Sequence, residues 1–208
     1  VNGIDSMDVR INTTDGVAHL ENVEVNGAAQ GRGLMRGFFT ALLNIAKSSK
    51  AINTLTMNAN LTVGGYAWAK AGFKPNDREQ FNEIGGEALN KIDMYLKDHK
   101  SKSLSKFRNE LDAALKDDNS DMADIFRKIA GLSQEISPDR VDDFRNDGAP
   151  AKDDLKGKFT LGKACLLGTK WTAGLDLNRK NDIRKLQAYA LFQGAKQGLG
   201  NILKKIRK

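Results

Sequence analysis

Residues 27–35 read Gly27-Ala28-Ala29-Gln30-Gly31-Arg32-Gly33-Leu34-Met35, and the elements on either side of this stretch decide the fold. It is too dense in glycine and small residues to be the interior of a strand or a helix. Before it, residues 17–26 (VAHLENVEVN) have the composition of a strand. Asp15-Gly16 is a hairpin turn signal, and residues 7–14 form the strand that enters it. Side chains alternate along a strand, so His19, Glu21, Val23 and Val25 are expected on one face and Leu20, Asn22 and Glu24 on the other. After the stretch, Leu34, Phe38, Ala41, Leu42 and Ile45 follow helical spacing, which predicts an amphipathic helix over 34–48. Residues 51–58 (AINTLTMN) read as a buried strand. Residues 61–71 read as a short Ala-rich helix closed by Gly72 as a left-handed cap. Strand, glycine turn, helix and strand make a unit in which two strands lie parallel around a crossover.

Beyond Pro75 the pattern becomes helical. Phe81, Ile84, Ala88, Ile92 and Leu96 mark one helix. Leu104, Phe107, Leu111 and Leu115 mark a second, and Met122, Ile125, Phe126, Ile129 and Leu132 a third. Ser137-Pro138 reads as an N-cap with Pro at the first position of a short fourth helix. Residues 146–157 are a polar linker or long loop. Residues 158–178 are apolar and glycine-spaced, of open type. A last amphipathic helix is expected over 181–207, weakened by Gly194, Gly198 and Gly200. Composition divides the chain into 1–79, 80–145 and 146–208.

The chain has 208 residues, of which 40% are apolar. That suffices for a packed core and argues against a disordered chain. No apolar run reaches the roughly 18 residues that a membrane-spanning helix needs. The opening VNGIDSMDVR lacks the features of a signal peptide, and a start at Val1 is expected of a processed product or a piece of a longer polypeptide. Cys165 is the sole cysteine and there are two histidines, so neither an internal disulfide nor a structural zinc site is expected. A chain held by packing alone suits a reducing compartment. From Leu155 to Lys208, thirteen Lys and Arg face only Asp176 and Asp182, a net +11, on a chain whose total is +7. A basic end points to a polyanionic partner: nucleic acid, an acidic protein or a membrane surface. The cluster Gly168–Asn178 either lines a groove through Trp171 and Asp176 or packs, with Asp176 capping a helix.

Consecutive small residues at a helix N-terminus let backbone N–H groups converge on an anion, and Arg32 and Arg36 strengthen such a site. About thirty residues further on comes Gly65-Tyr66-Ala67-Trp68-Ala69-Lys70-Ala71-Gly72-Phe73. Gln-x-x-Gly after a strand, then helix, strand and a short helix closing in Gly-Phe, resembles the GCN5-related N-acetyltransferase (GNAT) superfamily over residues 17–75. The resemblance implies an α+β fold, a GNAT-like mixed sheet with a helical C-terminal extension. It also implies an acetyl-CoA-dependent N-acetyltransferase that moves an acetyl group to an amine. Gln30, Gly31, Arg32, Gly33, Leu34 and Met35 would hold the CoA pyrophosphate. The backbones of Val23 and Val25 would pair with pantetheine, and Asn60 would contact CoA. The amine needs a base, and His19 and Glu21 both sit on the strand where the family places one. The family's acid position is Trp68, which has no ionisable hydroxyl, so Tyr66 is the remaining candidate.

Two further readings stand beside this one. The first is a non-catalytic GNAT-like structural or interaction module of a larger phage or effector polyprotein. It is motivated by Met35 where the family has Gly or Ala, by Trp68 at the acid position, and by the missing initiator Met. The second is a toxin-like acetyltransferase acting on aminoacyl-tRNA, motivated by the basic C-terminal segment. The expected location is the cytoplasm, of a bacterium or a host, or a virion for a phage component.

Overall fold

A computed structural model describes residues 4–25, 43–44, 52–59, 64–155 and 157–189. These form two compact units, residues 1–58 with 174–208 and residues 59–173. That division differs from the segments 1–79, 80–145 and 146–208.

In the first unit, β1 (Ile4–Asn12) and β2 (Val17–Val25) form an antiparallel hairpin. Asp15-Gly16 occupies the end of a four-residue turn, Thr13–Gly16, between paired Asn12 and Val17. Asn12 organises that turn: its Oδ1 accepts from Thr14 N at 3.0 Å and Asp15 N at 3.3 Å. Gly16 has φ 68°, where side chains are strained, and its carbonyl accepts from Asn53 N at 2.7 Å and Thr54 N at 3.1 Å. The glycine thereby ties the hairpin turn to the entry of β3 (Thr54–Ala59). β2 and β3 run parallel, Val17 beside Thr54 through Leu20 beside Met57. The parallel pairing read from the sequence is thus present, while the expected helix over 34–48 lies outside the described residues apart from 43–44, which are helical. Ala18, Leu20, Leu55 and Met57 are buried on one face of this sheet.

The second unit is built on helices. The short helix α1 (Gly64–Ala71) ends at Gly72 with φ 98°, the expected left-handed cap. A two-residue strand, β4 (Lys74–Pro75), leads into α2 (Arg78–Asp98), whose N-cap Asp77 accepts from Gln80 N at 2.8 Å. Then follow α3 (Lys102–Lys116), capped by Ser101, and α4 (Met122–Ala130), capped by Asp121. Their buried residues, among them Phe81, Ile84, Ala88, Ile92, Leu104, Phe107, Leu111, Ile125, Phe126 and Ile129, are the ones the periodicity picks out. Each large apolar side chain so buried contributes about 1.5–3 kcal/mol. Ser137-Pro138 opens a 3-10 turn that runs into α5 (Val141–Phe144). The undecided stretch 158–178 resolves into α6 (Leu161–Leu166) and β5 (Trp171–Asp176). α1 belongs to this unit because it packs on α4 and α6, which is why the expected boundary at residue 79 is not where the units part.

The fold is mixed α+β: in the first unit β1, β2 and β3 lie side by side in that order, and in the second β5 neighbours β4. Within the second unit Asn76 N donates to Thr172 O at 2.9 Å; within the first, Leu177 N donates to Asn53 O at 2.7 Å. Residues 180–189 are helical. Among the described residues no helix is long and apolar enough to cross a membrane.

Candidate functional site

The β1–β2 register slips at two places, between Ile4 and Ser6 and between Asp8 and Val9, and the second bears on the site. Val9 pairs with Leu20, but the next residue back, Asp8, pairs with Asn22, so Glu21 is one residue extra on β2. This is a β-bulge, and a bulge bends its strand and increases its twist. Among the described residues the parallel ladder with β3 ends at the same point, Leu20 beside Met57. β2 continues to Val25 and β3 to Ala59. Among the described residues no strand pairs with the inner edge of β2 beyond that point, and an unpaired strand edge presents main-chain N–H and C=O groups. The backbones of Val23 and Val25 lie in this part of β2, paired on its other edge with Met7 and Ile4. The slip also corrects the face assignment. Strict alternation holds from His19 only as far as Glu21, so counting by twos cannot carry that face on to Val23 and Val25.

The face of the sheet opposite Ala18 and Leu20 is polar where the strands still pair. His19 stands between Arg10 on β1 and Thr56 on β3 in the register. Its Nδ1 is 2.8 Å from Thr56 Oγ1. Glu21 makes an ion pair with Arg10 at 2.9 Å. Both expected bases are thus on one half-exposed face, each with a partner from a neighbouring strand. Neither Arg10 nor Thr56 is singled out by the sequence alone. Their alternation within β1 and β3 was the available signal, but only the register says which residue they meet.

Tyr66 lies on α1 in the other unit, half-buried, with Lys70 Nζ 5.1 Å from its ring centre. Trp68 meets buried Phe73 edge-on, with ring centres 5.7 Å apart, and so works as a packing residue. Trp171 is likewise buried, edge-on to Phe126 at 5.3 Å. Asp176 accepts from Asn178 N at 2.8 Å and shapes the turn before helix 180–189. Gln30, Gly31, Arg32, Gly33, Leu34, Met35 and Asn60, the expected CoA-contacting residues, lie outside the described residues. So does the end of the chain from residue 190, where much of the basic segment lies.

The other chemically notable pair lies within the helical unit. Cys165 is fully buried, and burial pushes its thiol up to about 12. Such a thiol is inert as a nucleophile at neutral pH. Burial also holds Lys91 below the usual lysine value. Lys91 Nζ donates to Asn146 Oδ1, and to Ala164 O at 2.8 Å, while Asn146 Nδ2 donates to Leu167 O at 2.6 Å. These groups fasten the 146–149 turn to the end of α6. Among the described residues no three His, Cys, Asp or Glu side chains gather as a metal ion requires. Compared with family models, with curated proteins and with solved structures, the chain matches none of them.

Proposed function

We propose that this chain is an acetyl-CoA-dependent N-acetyltransferase whose acyl site lies where β2 and β3 separate. The coincidence of the Glu21 bulge with the end of the β2–β3 ladder carries this reading. A thioester substrate with an extended amide-bearing arm needs a strand edge to bond, and among the described residues no strand pairs with the inner edge of β2 beyond Leu20. The carbonyl carbon then sits beside the face that bears His19 and Glu21.

The chemistry asks little more of the chain. The acceptor's ammonium loses its proton to a base on β2, either directly or through water. The neutral nitrogen adds to the thioester carbonyl and a C–N bond forms. The C–S bond breaks, the sulfur leaves with the bonding pair, the nitrogen gives up its second proton to solvent, and a proton from solvent completes the thiol. Holding amine and thioester together is itself a large part of the catalysis. Pyrophosphate contacts by Gln30–Met35 and a CoA contact by Asn60 belong to this proposal on the sequence pattern alone.

The packing role of Trp68 favours a second reading, in which the same architecture serves as a non-catalytic interaction module. Calorimetry with acetyl-CoA on the full chain decides between them. The transferase reading expects micromolar to submillimolar binding, and release of CoA thiol when primary amines are supplied. No heat at millimolar ligand would end it.

A further inference from the structure

We infer that Thr56 is a positioning residue: it accepts a hydrogen bond from His19 Nδ1–H and so leaves Nε2 as the proton-accepting atom on the open sheet face. This deepens the transferase reading and rests on it. Four observations converge. First, the parallel register places His19 directly beside Thr56, and their polar atoms are 2.8 Å apart. Second, among the described residues Thr56 is the only partner of the His19 ring. Third, a neutral imidazole has one donor and one acceptor nitrogen, and the bond made by one decides the role of the other. Fourth, the rival base Glu21 already binds the Arg10 guanidinium at 2.9 Å. An arginine cannot surrender its proton, so that carboxylate keeps a permanent cation beside it. Glu21 then acts as an electrostatic neighbour and His19 as the proton acceptor.

Among the described strand residues the charged groups facing His19 are few. β1 presents Arg10 directly opposite, β2 presents Glu21, and β3 presents only the neutral Thr54, Thr56 and Asn58. Arg10 and Glu21 pair with each other, and Thr56, whose hydroxyl can accept, is the partner of Nδ1. Thr56 is also well suited to holding an imidazole still. It is β-branched, stiff at its first side-chain torsion, and at home in a strand.

The test reads the tautomer directly. The chain has two histidines, so nitrogen-15 spectra of the full-length protein contain only His19 and His99. His99 is exposed, stacked on Tyr95, and is identified by His99→Gln. Above neutral pH, His19 is expected with its proton on Nδ1. Thr56→Val should return it to a mixture of tautomers, and Thr56→Ser should restore the wild-type pattern. A wild-type His19 protonated on Nε2 overturns the proposal, and that measurement requires no variant to fold. The kinetic arm follows thiol release from acetyl-CoA with a panel of primary amines. Thr56→Val should lower kcat about tenfold or more, within the range a positioned base supplies. KM for acetyl-CoA should be unchanged, and Thr56→Ser should recover the rate. An unchanged kcat in Thr56→Val would also overturn it. Failure of acetyl-CoA to bind the wild-type chain sinks the transferase reading instead, and the spectra still report whether Thr56 sets the tautomer.

Discussion

The helical unit over residues 59–173 and the strand pair β2–β3 treat their polar side chains in opposite ways. In the helical unit, polar groups close the structure. Arg78 bonds Ala114 O at 2.5 Å and also Asp117 O, so it caps the end of α3, while its Nη1 reaches Ser120 at 2.8 Å. Lys91 and Asn146 fasten a turn to the end of α6. Arg108 bonds Asp93 through two nitrogens, at 2.9 and 3.0 Å, and links α2 to α3. On the sheet, His19 makes one side-chain bond among the described residues, and the pairing of β2 with β3 ends beside it. A side chain whose bonds are all used by the fold has little left for a substrate. The comparison therefore directs attention to the sheet, although the helical unit contains more charged residues.

The comparison breaks most readily at the core of the helical unit, where the largest effect is expected. Phe126 is fully buried between Phe81, 5.6 Å away, and Trp171, 5.3 Å away. Truncation to alanine should destabilise the protein by about 3–5 kcal/mol, read from urea unfolding. A loss under about 1 kcal/mol would mean these rings do not form the core, and the contrast with the sheet would lose one of its terms.

Gly162 comes next. A Cβ there would stand 2.7 Å from Ile129 O, 2.9 Å from Ala130 O and 3.0 Å from Leu132 O. These are main-chain atoms and cannot swing aside. Gly162→Ala should cost about 1–3 kcal/mol by overpacking, and should loosen the contact of α6 with the end of α4. Gly86, with open space where its Cβ would go, is the control: Gly86→Ala should stabilise α2 slightly, by up to about 1 kcal/mol.

These same helices show why part of the molecule is legible in the sequence. Phe81, Ile84, Ala88 and Ile92 recur at helical spacing and all are buried, because a helix face and its sequence period are one fact. The turn at Asp15-Gly16 and the cap at Gly72 are equally direct, since a positive φ selects glycine. The stretch 158–178 was not legible: α6 and β5 have six residues each, too short for either period to declare itself. The site was half legible. His19 and Glu21 follow from the motif and the alternation, but Thr56 and Arg10 depend on strand register, which hydrogen bonds between distant segments determine. The bulge at Glu21 escaped for the same reason.

A smaller effect concerns alkaline pH. Burial raises the Cys165 thiol to about 12 from an ordinary 9.0. The unfolded chain therefore releases this proton first, so the thiol's contribution to stability is whole below about pH 9 and is lost as pH climbs toward 12. Lys91 has the opposite sign. Its folded value is depressed, so the unfolded chain holds its proton longer and stability rises with pH through that window. The wild-type slope sums these two with the other shifted lysines, Lys163 lowered by burial and Lys128 and Lys158 raised by their acidic partners. Cys165→Ala should lose less stability than wild type between pH 9 and 12, as followed by thermal melts. An identical slope would mean that the thiol is not shielded in solution.

The smallest effect falls on the sheet and is the sharpest check of the contrast. Arg10 and Glu21 form an ion pair at 2.9 Å, but the arginine side chain is 77% exposed and the glutamate 34%. Such pairs contribute little to folding, because water competes for both charges and ordering two long side chains costs entropy. Arg10→Ala should change stability by less than about 0.5 kcal/mol, with the difference vanishing in 1 M salt. If the change is small, the pair is available for work other than folding, as the helical unit's Arg78 is not. A loss above 1 kcal/mol would show that the sheet face also closes the fold, and the argument that its polar groups are held for a substrate would have to be abandoned.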